Sequence, residues 1–240
     1  MSCPECRTEL TSPANSRDMF CPKCELKFYP RFDFKGFKTL KIGCSDVLNN
    51  VFYLDTDRGR FTVRQPRRKD YVPLMEALTK ASEYTFLRYP SMFWEHPEGI
   101  CNLPAFDRYS LGTLYLIMVI EDMVVGMSHH TYWTLDEETK QEEKLPIPVG
   151  SLICVAQLCV FDPYQNQGIG SLYAPMSEYI AMHNDADFIM GETHAKKGMV
   201  GIRLRTGWSV LSRRMVSMED ERVLIGKPLY PIPTEDIGEE

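Results

Sequence analysis

The sequence lacks a hydrophobic run long enough to cross a membrane. Its longest apolar stretch, LGTLYLIMVI, stops after ten residues at Glu121 and Asp122, whereas a spanning helix needs about twenty. The stretch therefore predicts a buried strand and no membrane contact. The first thirty residues also lack the uninterrupted apolar core of a secretory signal, because they mix cysteine pairs with charges. We therefore expect a cytoplasmic protein.

An overall excess of positive charge is also lacking. The net charge is -6, which argues against a protein that coats nucleic acid without specificity. The charge is unevenly distributed, since residues 1–70 hold 14 Lys or Arg against nine Asp or Glu, and residues 196–214 hold six against none. A polyanion would bind at these two regions.

Four of the eight cysteines form two Cys-x2-Cys pairs, CPEC at 3–6 and CPKC at 21–24. Each pair directs two thiolates at one tetrahedral ion, and together the pairs predict a closed, structural Zn2+ site. The alternative for paired cysteines is a disulfide, which a reducing compartment disfavours. A closed site leaves no position for water, so its role is to stabilise a segment without a core. The predicted ligands are Cys3, Cys6, Cys21 and Cys24.

This segment resembles a zinc ribbon, and the resemblance covers residues 1–29. Such a ribbon either contacts nucleic acid or protein, or serves only to stabilise the fold. The other cysteines are flanked by apolar residues, which is typical of ordinary packing. They are Cys44, Cys101, Cys154 and Cys159.

The middle of the chain alternates between extended and helical patterns. Extended segments with a turn at Asp57 to Gly59 precede the basic stretch RQPRRKD at 64–70. Apolar residues at helical spacing over 71–89 predict an amphipathic helix. Residues 91–110 have no clear period and predict a loop or short helices, and the acidic stretch at 136–144 predicts a solvated loop.

The remaining elements predict a mixed α/β fold built on one sheet. Two strands surround a turn at Glu121 to Met123, and a strand at 151–161 precedes a helix that ends near His183. A strand at 187–194, a helical segment and two last strands follow. We expect three regions, namely the ribbon at 1–29, connecting extended segments with a basic linker at 30–70, and a main domain at 71–240.

The stretch YQNQGIGSLY at 164–173 lies between a predicted strand and a predicted helix. It fits neither the G-x-G-x-x-G dinucleotide fingerprint nor the G-x4-G-K-[ST] phosphate loop. Its two glycines nevertheless let the backbone approach a ligand closely, and the unpaired N–H groups of the helix start favour a pyrophosphate. The alternative is a strand-to-helix turn with incidental glycines.

This stretch resembles the [QR]-x-x-G-x-[GA] signature of the GNAT superfamily of N-acetyltransferases, and LCVFDPYQNQGIGSLY is similar to the strand-to-helix core of that family. The resemblance covers roughly 71–228 and implies a GNAT-like domain that binds acetyl-CoA as cosubstrate. It implies that the strand end pairs with the pantetheine arm and that the loop holds the pyrophosphate. The implied cofactor-binding residues are Leu158, Cys159, Val160, Gln165, Asn166, Gln167, Gly168, Ile169, Gly170 and Ser171.

Acyl transfer to an amine needs a base for the amine and stabilisation of the oxyanion. Glu192 and His194 are two residues apart on a predicted strand, so they share one face beside the cofactor strand. We predict Glu192 as the base, with His129 and His130 of the preceding hairpin as further candidates. The alternative for these residues is a polar strand end without a catalytic role.

The GNAT resemblance also implies a tyrosine that protonates the thiolate, four residues before a glycine-aromatic pair. Gly207 and Trp208 match that pair, but Arg203 stands at the tyrosine position. Arginine cannot give up a proton at working pH. Arg203 would therefore stabilise the thiolate as a cation, bind cofactor phosphate or lie on a solvated face.

The resemblance implies an N-acyltransferase that moves an acetyl or related acyl group from acyl-CoA to an amine acceptor. The ribbon would then aid the recruitment of a protein or nucleic-acid-associated target. One alternative is an inactive binding or regulatory protein on the same scaffold, which Arg203 at the tyrosine position suggests. Another is a zinc-stabilised structural protein that binds no cofactor.

Overall fold

The computed structural model describes residues 2, 5–11, 19–70, 112–143, 145–195, 198–215 and 221–229. The helix predicted over 71–89 and the loop predicted over 91–110 lie outside these residues. Within them, no helix is both long and apolar enough to span a bilayer.

The described part of the chain contains eleven strands and three α-helices. The strands are β1 (Met19–Phe20), β2 (Lys27–Phe28), β3 (Thr39–Asp46), β4 (Val51–Thr56), β5 (Gly59–Arg64), β6 (Gly112–Ile120), β7 (Met123–Thr134), β8 (Leu152–Val160), β9 (Phe188–His194), β10 (Ser209–Met215) and β11 (Glu221–Pro228). The helices are α1 (Glu137–Glu143), α2 (Ile169–His183) and α3 (Gly198–Arg205).

One large sheet of nine strands organises the fold, in the order β10-β11-β9-β8-β7-β6-β5-β4-β3. Its neighbouring strands are antiparallel except β8 and β9, which are parallel. A parallel pair needs a long crossover, and α2 supplies it. The predicted mixed α/β class is confirmed. Strands β1 and β2 form a separate two-stranded sheet.

The predicted hairpin around residue 121 is confirmed as β6 and β7. Glu121 and Asp122 form its turn with φ angles of 48° and 68°. Two positive φ values in a two-residue loop match the right-handed twist of the flanking strands. The predicted strand-helix-strand order of β8, α2 and β9 is confirmed as well.

The extended segments predicted before residue 64 form β3, β4 and β5, which belong to the large sheet. β5 pairs with β6, from Phe61 opposite Ile120 to Arg64 opposite Ile117. The sequence left open which module these strands would pair with, and β5 joins them to the strands of the main domain. The alternating pattern predicted these strands but did not indicate which sheet they would join.

The acidic stretch at 136–144 was predicted as a loop, and this prediction is wrong because the stretch contains α1. Asp136 caps the helix, since its Oδ1 accepts a hydrogen bond of 2.7 Å from the Thr139 amide. Gln141 Nε2 also donates to Glu137 Oε1 one turn away. The helix is mostly exposed, so it shows no apolar period.

Helix α2 packs on one face of the sheet, against β3, β4, β8 and β9. Pro175 lies inside the helix without ending it. The ring of Phe52 on β4 is fully buried and meets Tyr179 edge-on at 6.3 Å. The buried residues of α2 are Ile169, Leu172, Tyr173, Ala174, Met176, Ser177, Ile180 and Ala181.

Candidate functional site

Strands β8 and β9 pair over only part of their length. Their ladder runs from Ile153 opposite Phe188 to Val155 opposite Met190, whereas β8 continues to Val160. Beyond Val155, the edge of β8 that faces β9 has no ladder partner among the described strands. An extended chain can add to such an edge by main-chain hydrogen bonds. The predicted residues Leu158, Cys159 and Val160 lie on this open edge and are partly buried.

The predicted phosphate loop leads from the end of β8 into α2. Gly168 has φ +87° and caps the helix without a side-chain hydrogen bond, and Asn166 also has a positive φ of 61°. The amides of Ser171 and Leu172 both donate to the Gly168 carbonyl. No described residue accepts a hydrogen bond from the amides of Gly168, Ile169 or Gly170.

Three adjacent amides without a partner among the described residues thus lie at the positive end of a 15-residue helix, an arrangement that favours an anion. Ile169 fixes the direction of the helix start, because its side chain is only 1% exposed in the core. The structure therefore places the loop amides directly after the open edge of β8. Together they fit the two halves of coenzyme A, with amides for the pyrophosphate and a strand edge for the pantetheine arm.

The two glutamines of the loop contact protein groups. Gln165 Nε2 donates to the Val160 carbonyl at 3.0 Å, and Gln167 Nε2 donates to the Pro163 carbonyl at 2.7 Å. Gln167 also accepts the Phe32 amide at 2.6 Å through Oε1. Sequence analysis missed Phe32, although the spaced aromatic residues of FYPRFDFKGF were a signal for a packed segment.

A row of polar side chains crosses the face of the sheet opposite α2. Tyr115, His129 and Gln157 are register partners on β6, β7 and β8. Glu192 continues the row on β9, because it lies two residues past the last pair of that strand, as Gln157 does on β8. The row thus crosses the place beyond which β8 and β9 no longer pair.

His194 belongs to the same face as Glu192 by strand alternation, and its backbone is in register with Arg222 of β11. The orientation of its side chain lies outside what the structure describes. Glu192 is partly buried on the strand. The position of Glu192 next to the open edge fits the predicted role of a base.

His130 lies on the opposite face, under α2. It is fully buried, and its Nε2 lies 3.3 Å from the Tyr173 hydroxyl. Burial, with help from the charges of His129 and Arg203, lowers the pKa of His130 to about 3. The imidazole is therefore neutral near pH 7, and the structure does not bring His130 together with the polar row.

Arg203 is buried as well, with 5% of its surface exposed. Its Nη1 donates to the Ala174 carbonyl at 3.0 Å and its Nη2 to Ser177 Oγ at 2.9 Å. The guanidinium stacks 4.1 Å from the Trp208 ring. The solvated position considered from sequence is therefore wrong, and the contacts of Arg203 attach α3 to the middle of α2.

Glu178 completes this buried cluster. Its carboxylate accepts hydrogen bonds of 2.7 Å from both Trp208 Nε1 and Lys227 Nζ, and it lies 4.0 Å from Arg203 Nη1. Burial lowers the pKa of Arg203, while Tyr173 and Glu178 oppose that shift. The cluster ties α2, α3 and β11 together, and sequence analysis gave no signal for it.

The N-terminal cysteines form a second candidate site. The Sγ atoms of Cys6, Cys21 and Cys24 all lie within 4.8 Å of one another, and none of the three forms a disulfide. Arg7 follows the first cysteine pair and has a positive φ of 59°. Glu25 follows the second pair and has a positive φ of 56°.

Cys21 and Cys6 have Sγ atoms 3.5 Å apart, much farther than a disulfide allows. Hydrogen bonds, first from Thr8 and then from Cys24, lower the pKa of Cys6 to about 6. A thiolate is the form that binds zinc. The predicted fourth ligand, Cys3, lies outside the described residues, and the three described thiols fit a zinc site.

No protein-family model matches the sequence, and no curated protein sequence does. Solved structures do match. A GNAT-family acetyltransferase from Streptococcus pneumoniae is 15% identical, with 70% of this chain and 98% of that chain covered and a TM-score of 0.48. The GNAT domain of PAT from S. lividans is 16% identical, with coverages of 83% and 99% and a TM-score of 0.45.

A Salmonella typhimurium protein solved with its cofactor acetyl-CoA is 11% identical over 74% of this chain and 99% of that chain, with a TM-score of 0.46. The structure of this chain is similar to the structures of these three proteins. The proposal below rests on this chain's own strand edge, loop and helix.

Proposed function

We propose that the protein is an N-acyltransferase that takes an acetyl or related acyl group from acyl-CoA. The observation that carries the proposal is that the open β8 edge leads to the amides of Gly168, Ile169 and Gly170, which have no partner among the described residues. The amides would hold the pyrophosphate, and the backbone of Leu158, Cys159 and Val160 would hold the pantetheine arm. Acetyl-CoA, when bound, supplies an acyl group activated as a thioester.

We propose Glu192 as the general base. Its carboxylate would take a proton from the attacking amine, either directly or through water. The amine nitrogen then bonds to the carbonyl carbon, the carbon–sulfur bond breaks, and solvent protonates the leaving thiolate. A backbone amide near Cys159 or Val160 would donate to the developing oxyanion. His129 is the second candidate base, because it lies in the same polar row.

We further propose that the zinc ribbon helps to recruit a protein or nucleic-acid-associated acceptor. Two observations support this proposal, namely the clustered thiols and the excess of Lys and Arg in residues 1–70. Acceptor binding should then weaken as salt concentration rises. Acceptor affinity that is independent of salt would contradict an electrostatic role for this region.

Calorimetric titration with acetyl-CoA tests the proposed function. Gly170 lies in the first turn of α2, so Gly170→Asp places bulk and negative charge where the pyrophosphate would bind. Gly201→Asp makes the same change in α3, away from the loop, and is the matched control. We expect parent and control to bind with a Kd of about 1–100 μM and Gly170→Asp to bind at least about tenfold more weakly. Absence of binding by the folded parent would refute the proposal.

A further inference from the structure

Gln167 holds the phosphate loop to a distant segment of the chain. Its side-chain Oε1 accepts the Phe32 amide at 2.6 Å, and its backbone carbonyl accepts the Phe34 amide at 3.0 Å. Its Nε2 donates to the Pro163 carbonyl on the near side of the loop. One residue therefore bonds both to its own loop and to residues 29–37, which we call the strap.

Aromatic packing reinforces the contact between strap and loop. The rings of Tyr29 and Phe32 lie 6.1 Å and 6.0 Å from the ring of Tyr164. Phe34 is 3% exposed and belongs to the main core. A Cβ built on Gly168 would lie 2.5 Å from the Phe34 carbonyl carbon, so the strap backbone lies directly against the glycine of the loop.

We infer that Gln167 is a positioning residue for the phosphate loop, and that the strap holds the amides of this loop in place. The inference rests on the proposed function, because it concerns the orientation of amides that bind pyrophosphate. Gln167 was expected to contact the cofactor itself. Its contacts instead assign it the task of fixing the loop.

The physical reason is preorganisation. The loop has positive φ values at Asn166 and Gly168, and three adjacent amides without described partners. A short polar loop of this kind loses conformational entropy when it orders around a ligand. Because the strap orders the loop beforehand, this cost is removed from binding. Loss of the Gln167 side-chain bonds should therefore weaken ligands that use the amides.

The test compares Gln167→Met with Gln141→Met in the full-length protein. Gln141 lies on the exposed face of α1 and donates only to Glu137 among the described contacts, so it is a matched control. Calorimetry gives Kd values for coenzyme A and for acetyl-pantetheine, which lacks the pyrophosphate. Hydrogen exchange of the Phe32 and Phe34 amides reports directly on the strap.

We expect Gln167→Met to weaken coenzyme A binding about tenfold and to leave acetyl-pantetheine binding unchanged. Exchange at Phe32 should accelerate while the amides of β6 and β7 keep their protection. Gln141→Met should match the parent in all measurements.

Each other outcome has a distinct meaning. If the parent fails to bind coenzyme A, the proposed function falls, and this inference falls with it. If the parent binds and Gln167→Met binds equally well, the inference is overturned and the proposed function stands. Equal losses for both ligands would also overturn it, because they indicate general damage to the fold.

Discussion

Arg203 occupies the position at which the GNAT resemblance implies a proton-donating tyrosine. Its guanidinium is directed at Ala174 and Ser177 of α2 and stacks on Trp208. These contacts account for an arginine at this position without a catalytic role. A buried cation that donates to one carbonyl and one hydroxyl of α2 stabilises the arrangement of α2 and α3.

Arg203→Met should therefore lower the free energy of unfolding by about 2 kcal/mol, because the Ala174 carbonyl and Ser177 Oγ each lose a buried hydrogen-bond donor. Coenzyme A affinity of the folded fraction should stay the same. Urea denaturation measures the loss, and Arg205→Met, which changes an exposed arginine of the same helix, is the control. A large loss of acyl transfer without a loss of stability would instead indicate a catalytic arginine.

The burial of His130 should make the free energy of unfolding depend on pH. Its folded-state pKa of about 3 lies below the ordinary value of 6.5, so the unfolded chain binds the proton more readily than the folded chain. The contribution is fully present above pH 6.5 and is lost as the pH falls from 6.5 towards 3. When the pH falls from 7 to 5, protonation of this residue in the unfolded chain should lower the free energy of unfolding by about 2 kcal/mol.

The variant His130→Gln should show a shallower fall in unfolding free energy over that range than the parent. His183→Gln removes an exposed histidine and is the control for the loss of an imidazole. Chemical denaturation at a series of pH values measures all three proteins. Equal slopes for the parent and His130→Gln would show that His130 titrates normally.

At the scale of elements, the proposed role of Glu192 as the base depends on the place at which the ladder between β8 and β9 ends. The polar row of Tyr115, His129, Gln157 and Glu192 crosses this point on one face. Glu192→Gln should lower kcat by about 10²- to 10⁴-fold with the amine that the parent acylates, while the KM for acetyl-CoA changes little.

Release of free thiol from acetyl-CoA across a panel of amines measures this effect. Glu221→Gln on the neighbouring strand removes a surface carboxylate that binds Arg213 and is the matched control. If Glu192→Gln keeps its kcat and His129→Gln loses it, the base is His129.

Much of the element order could be predicted from sequence, for reasons that particular residues show. The β6–β7 hairpin has apolar runs on both sides of Glu121 and Asp122, and β8 and α2 are separated by the two glycines. Helix α1 could not be predicted from its pattern, because an exposed helix has no apolar period. Its Asp136 cap was the available signal.

The candidate site was predictable only where it depends on local sequence. The loop glycines and the edge residues of β8 are adjacent in the chain, so the motif predicted their association. The contact between Gln167 and Phe32 joins residues that are 135 positions apart. The burial of Arg203 depends on the packing of α3 against α2. Neither contact has a signature within a single element.

At the scale of the whole molecule, the strap connects the segment that carries Cys6, Cys21 and Cys24, here called the cysteine module, to the loop before α2. Only Glu25, Leu26 and β2 separate Cys24 from Tyr29, whose ring packs on Tyr164 beside the loop. A metal that fixes the module should therefore also restrain the start of the strap.

If the cysteine module holds zinc as proposed, removal of the metal by a chelator should weaken coenzyme A binding several-fold, because the strap would lose one of its two anchors. Metal analysis and calorimetry of the full-length protein measure this effect. Cys21→Ser should behave like the chelated protein, whereas Cys44→Ser, outside the module, should keep both zinc and affinity. Unchanged affinity in the zinc-free protein would show that the strap is held by its aromatic contacts alone.

The most direct test of the central claim is to follow the backbone amide signals of the full-length protein by NMR as acetyl-CoA is added. We expect the largest shifts at Gly168, Ile169 and Gly170, whose amides have no described partner, and at Leu158 to Val160 on the open edge. Coenzyme A should shift both groups, and acetyl-pantetheine only the edge of β8. Saturable shifts confined to another surface, or none at all, would show that acetyl-CoA does not bind at this loop and strand edge.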